Sequence, residues 1–106
     1  MKEIIKETRR VLKLFENVRK RGWKGEVMLV DLVEEVGELA NAILVKEGFK
    51  SKKREKADLE DSLADVLFDI FMIADYYRID IEKVYRKTLK ELEKRVKRKE
   101  FDDEDV

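Results

Sequence analysis

Leu63-Ala64-Asp65-Val66-Leu67-Phe68-Asp69-Ile70-Phe71-Met72-Ile73-Ala74 is apolar at ten of its twelve positions, and the two exceptions are carboxylates. A run this long and hydrophobic nearly all round reads as a helix at the centre of a bundle. Upstream, Asp58, Asp61 and Ser62 fall on the same narrow strip as Asp65 and Asp69, because residues three and four apart share a helix face. An ionised carboxylate taken out of water without a partner costs at least several kcal/mol, a large share of the stability of a small domain. Something must therefore compensate Asp65 and Asp69.

Outward from that stretch the chain reads as further helices. Proline is absent and only four glycines occur in 106 residues. Ile4, Ile5, Thr8, Val11, Leu12, Phe15 and Val18 recur at helical spacing over about Glu3 to Lys20 and predict one buried face. Arg21-Gly22-Trp23-Lys24-Gly25 breaks this segment. A second helix is predicted from Glu26 to Glu47, closed by Gly48, with Leu29, Leu32, Val36, Leu39, Ala40 and Ile43 as its apolar face. After the basic loop Phe49 to Lys53, the third helix is expected from Arg54 to Tyr77. The fourth starts behind Asp80 as N-cap and is expected to bury Ile81, Val84, Tyr85, Leu89, Leu92 and Val96. The expected fold class is all-α, a four-helix bundle in one domain over residues 1–100, and the acidic tail at 101–106, with little to pack, is expected to be disordered.

Composition narrows the chemistry. With 25 Lys plus Arg against 25 Asp plus Glu, no net charge draws the chain to a nucleic-acid polymer or an anionic membrane. Neither histidine nor cysteine is present. This excludes disulfides, His-dependent triads, thiolate nucleophiles, the usual zinc sites and Glu-x-x-His di-iron bundles. With no run of eighteen apolar residues and no signal peptide at Met1-Lys2-Glu3, the expected setting is soluble and cytoplasmic.

Helix two repeats the pattern of helix three. Asp31, Glu35 and Glu38 share a strip beside its apolar face, with Glu34 at the outer edge. No basic residue lies between Glu26 and Lys46, or between Lys56 and Arg78, to neutralise either strip. A divalent cation is the alternative, and hard oxygen ligands on facing helices suit Mg²⁺ or Mn²⁺. Taken alone, Glu34, Glu35 and Glu38 read equally as a solvated helix face; the joint pattern with Asp65 and Asp69 favours a metal site.

Glu34-Glu35-Val36-Gly37-Glu38-Leu39 set beside Leu63-Ala64-Asp65-Val66-Leu67-Phe68 resembles the MazG-like nucleotide pyrophosphohydrolases of the all-α NTP pyrophosphatase superfamily. These carry Glu-Glu-x-x-Glu on one helix and Glu-x-x-Asp on the next. The similarity runs from Arg21-Gly22-Trp23 to Ala74-Asp75-Tyr76-Tyr77-Arg78-Ile79-Asp80-Ile81. It implies Mg²⁺-dependent cleavage of a nucleoside triphosphate between the α and β phosphates, giving the monophosphate and pyrophosphate, in clearance of unwanted nucleotides. It makes Glu35, Glu38 and Asp65 metal ligands, and Glu34 or Glu35 the proton acceptor.

The chain departs from the family at Ser62, where the Glu of Glu-x-x-Asp is missing; Asp61, Asp69 or a water held by Ser62 is left to complete the ligand set. A catalytically weakened relative that binds nucleotide or metal is the alternative reading. Lys50, Lys52, Lys53, Arg54 and Arg95 are candidates to hold phosphate, against their reading as solvated cations favourable to helix ends. Trp23 resembles a tryptophan near the family's base pocket and is a candidate to stack on a nucleobase, or else a core plug. The apolar third helix and the resemblance together imply a homodimer or a dimer of dimers.

Overall fold

The computed structural model describes residues 2–18, 24–54 and 58–99. They form four α-helices, α1 (Lys2–Val18), α2 (Gly25–Lys46), α3 (Leu59–Tyr76) and α4 (Ile81–Lys97), with a short 3-10 turn, Lys52–Arg54, between α2 and α3. No strand occurs among the described residues, so the all-α expectation holds. Trp23 and the acidic tail lie outside the described residues.

Local chemistry sets the helix ends. The Asp58 side chain accepts a hydrogen bond from the Asp61 backbone N–H at 2.8 Å, which makes it the N-cap of α3. Helix three therefore begins at Leu59 rather than near Arg54, and Asp58, placed by spacing on the acidic strip, serves the helix terminus instead. Asp80 caps α4 as expected, accepting from Lys83 N–H at 3.1 Å. Gly48 ends α2 with a φ of 83°, the left-handed conformation that glycine adopts without the Cβ clash, and its N–H reaches the Val45 carbonyl. Asp58→Ala is expected to cost about 1 kcal/mol and to lower the melting temperature by about 4–8 °C. Thermal circular dichroism reads this directly; an unchanged melting curve would mean that the cap does not set the start of α3.

Helices α1 and α2 pack antiparallel to α3. The Phe15 and Phe68 rings lie 6.1 Å apart and Arg9 Nε meets Asp75 Oδ1 at 3.0 Å, so numbering rises along α1 as it falls along α3. The Arg9–Asp75 pair is half in water and contributes little beyond register. Tyr77, just past α3, lies against Gly25 at the start of α2, where an added Cβ would overlap the phenol oxygen. The most extensive packing joins α2 to α3, and the buried apolar residues Met28, Ala42, Phe71, Met72 and Ala74 all belong to this pair.

Burial is less complete than periodicity implies. Of the long apolar run, Leu63, Leu67 and Ile70 are exposed, because α3 meets α2 on one side and α1 on another while a third side stays open. Leu29, Val33, Val36 and Ile43 of α2 are likewise exposed, although Leu29, Val36 and Ile43 belong to the predicted apolar face. Helix phase puts these two rows on the same side of the antiparallel pair. The expected burial of the α4 face is not made within the chain: Val84, Tyr85, Leu89, Leu92 and Val96 are 40–63% exposed, since α4 packs along no other helix among the described residues.

Candidate metal centre

The side of the α2–α3 pair opposite those apolar rows carries the acids. On α2, Asp31, Glu35 and Glu38 follow at spacings of four and three and point along one flank. Asp65 and Asp69 do the same on α3. Antiparallel packing interleaves them into two groups: carboxylate oxygens of Asp31, Glu35 and Asp69 all lie within 4.8 Å of one another, as do those of Glu35, Glu38 and Asp65. Glu35 belongs to both.

Their environment is dry towards the helix interface and wetter outwards. Asp69 is 3% exposed and Ser62 is fully buried, Asp31, Glu35 and Glu38 are half-buried, and Asp65 is exposed. Among the described residues no cation pairs with any of the five acids. Three buried oxygens, Glu35 Oε2, Asp69 Oδ2 and Ser62 Oγ, have no hydrogen-bond partner. Such orphaned groups are rare in folded proteins and expensive to bury.

The electrostatics follow from this geometry. Burial pushes the Asp69 carboxyl up to about 7, helped by the carboxyl of Asp31 against it and by the charges of Asp31, Glu35 and Asp65. Burial also raises Glu35 above the ordinary carboxylate range, with Glu38, Asp65 and Asp31 adding repulsion. Carboxylates held together against their own repulsion, with unsatisfied buried oxygens and no basic neighbour among the described residues, fit a hard divalent cation.

The remaining sequence candidates are spread around this centre. Glu34 is exposed on α2 and stands outside both convergent groups, as does the exposed Asp61 in the first turn of α3. Lys53 is exposed in the 3-10 turn, its backbone N–H donating to Ser51 Oγ at 3.2 Å. Arg54 shares that turn, but its side chain, like Trp23, lies outside what is described. Arg95 is half-buried on α4, which the packing does not bring alongside α2.

Asp31, outside the sequence-derived ligand set, and Lys50, one of the loop candidates for phosphate, also belong here. Asp31 was legible on the acidic strip, but its convergence with Asp69 needed the helix pairing. Lys50 Nζ donates to Asn41 Oδ1 at 3.0 Å, one helical turn beyond Glu38. The loop folds back to allow this, with Phe49 and Lys50 N–H both reaching the Leu44 carbonyl. Comparisons with curated proteins and with solved structures gave no match. A family model described as the MazG nucleotide pyrophosphohydrolase domain matches residues 24–99, which span both acidic helices, and the chain belongs to that family.

Proposed function

We propose that this chain is a Mg²⁺-dependent pyrophosphohydrolase that cleaves nucleoside triphosphates between the α and β phosphates. The observation that carries the reading is the convergence of Glu35, Glu38 and Asp65 from two helices beside buried carboxylate oxygens that no described residue satisfies. These three residues are the proposed ligands of the ion, with Asp69 behind them. A bound Mg²⁺, or Mn²⁺ in its place, supplies neutralisation and orientation of the triphosphate oxygens.

The chain's own groups do the rest. Water attacks one of the phosphorus atoms beside the α–β bridging oxygen; the new P–O bond forms as the bond from that phosphorus to the bridge breaks, and the bridging oxygen leaves with the electron pair, as part of pyrophosphate when Pα is attacked and of the monophosphate when Pβ is attacked. Glu34, exposed and outside both acidic groups, takes the water proton in this reading and passes it to solvent. Glu35 is the other candidate, but it is already shared between the two groups. Lys50, positioned by Asn41, with Lys53 and Arg54 in the following turn, supplies positive charge for outer phosphate oxygens; Trp23 is assigned to the base, and Arg95 to phosphate from a neighbouring copy.

The open apolar rows on α2, α3 and α4 support a homodimer or dimer of dimers, in which a second copy covers Val33, Leu67 and Leu89. Light scattering at micromolar concentration is expected to give at least a dimer, and the double variant Val33→Glu, Leu67→Glu a smaller species. A wild-type monomer would remove this packing. No helix among the described residues is long and apolar enough to cross a membrane. A cytoplasmic setting, one domain over residues 1–100 and a tail at 101–106 complete the proposal.

Fully buried Ser62 with its unpartnered hydroxyl, where the family pattern has Glu, favours a second reading: a weakened relative that binds nucleotide with little turnover. Incubation with each NTP and dNTP plus Mg²⁺, assayed for pyrophosphate, separates the two. Release of pyrophosphate and monophosphate in equal amounts supports the enzyme; binding without release supports the weakened relative.

A further inference from the structure

Glu35, Glu38 and Asp65 account for only part of the acidic cleft. One helical turn along both helices, Asp31 and Asp69 face each other across the interface, and Glu35 reaches them as well, with oxygens of all three within 4.8 Å. Asp69 differs from the other acids in being 3% exposed, and its Oδ2 is buried without a hydrogen-bond partner. A surface acid can be left to water, whereas a carboxylate aimed into a closed group of carboxylates has no solvent to satisfy it. No lysine or arginine lies on the facing stretches of α2 and α3, so the helix pair supplies no side-chain cation for it.

We propose that Asp31, Glu35 and Asp69 hold a second divalent cation, Mg²⁺ or Mn²⁺, beside the one assigned to Glu35, Glu38 and Asp65, with the Glu35 carboxylate bridging the two. Resting on the reading of the first site, this extends it. Two hard cations sharing a carboxylate set a charge of plus four against the five acids and leave one net negative charge in the cleft, where a single ion would leave three. A bridging Glu35 has its oxygens committed to cations, which leaves Glu34 as the proton acceptor. Asp31, half-buried at the rim, gives this site its opening to solvent.

Mn²⁺ alone, without nucleotide, tests the proposal on the full chain at pH 7.5, with calorimetry for stoichiometry and electron paramagnetic resonance for coupling between ions. Wild type is expected to bind two Mn²⁺ per chain with a spectrum broadened by a neighbouring Mn²⁺. Asp69→Asn, nearly isosteric, is expected to bind one and lose the broadening. Asp31→Asn, nearer the surface, is expected to weaken the same equivalent and guards against a folding defect at Asp69. Glu38→Gln is expected to remove the other equivalent. One Mn²⁺ per wild-type chain, unchanged by Asp69→Asn or Asp31→Asn but lost in Glu38→Gln, would overturn the second site and leave the first. Binding lost in the Asp variants and untouched by Glu38→Gln would overturn the first site instead. No binding at all would overturn both, with a proton shared by Asp31 and Asp69 as the replacement.

Discussion

Glu35→Gln is expected to make the metal-free protein more stable and to cut turnover in Mg²⁺ steeply. The substitution keeps shape and removes one of five clustered negative charges whose ionised forms burial and mutual repulsion disfavour. Relief of such repulsion is worth about 0.5–2 kcal/mol, within the range of stabilising changes at strained functional sites. The gain is present where Glu35 is ionised and is lost as pH falls through its raised pKa, since protonation then removes the same charge from the wild type. Turnover is expected to fall on the order of 10³-fold, the equivalent of roughly 4 kcal/mol of lost transition-state stabilisation. Thermal melts in EDTA, paired with the pyrophosphate assay in Mg²⁺, measure both. A variant that melts lower than wild type in EDTA would show that the acidic cleft already has a compensating partner. Undiminished turnover would remove Glu35 from the site.

The second large effect is the pH dependence of the metal-free chain. Asp69 is held near 7 in the folded protein against an ordinary 3.8 in the unfolded chain. Between those values the folded state keeps a proton that the unfolded state has released, so stability is greatest in acid and is lost as pH rises towards 7. The melting temperature in EDTA is expected to drop by on the order of 10 °C between pH 5 and pH 7.5. Asp69→Asn is expected to flatten this slope. Saturating Mg²⁺ is expected to flatten it too, since the cation takes over the compensation that the proton gives in acid. A metal-free protein that becomes steadily more stable from pH 5 to 7.5 would mean that Asp69 is satisfied as an anion.

Different parts of the chain determine different things about the protein. Helix existence, the Asp80 cap and the Gly48 stop were readable because they depend on residues within one turn of each other. The two acidic strips were readable for the same reason, as was the Glu-Glu-x-x-Glu motif at Glu34, Glu35 and Glu38. Asp58 was the exception among local features, since a side chain at a helix start can either cap the helix or join its face, and spacing does not separate the two.

What depended on tertiary structure is the pairing. Asp31 lies 38 positions before Asp69, and only the antiparallel register of α2 against α3 brings their carboxylates into one group with Glu35. That register makes Glu35 common to both groups and buries Asp69 while leaving Asp65 in water, although the two sit one turn apart on a run that reads as uniformly apolar. The same packing decided which apolar residues go unburied: a helix has several sides, and the sequence of one chain marks Leu29, Leu63 and Leu89 as hydrophobic without saying whether α1, α2, α3 or another copy will cover them. Periodicity is set by 3.6 residues per turn, whereas burial is set by which faces meet.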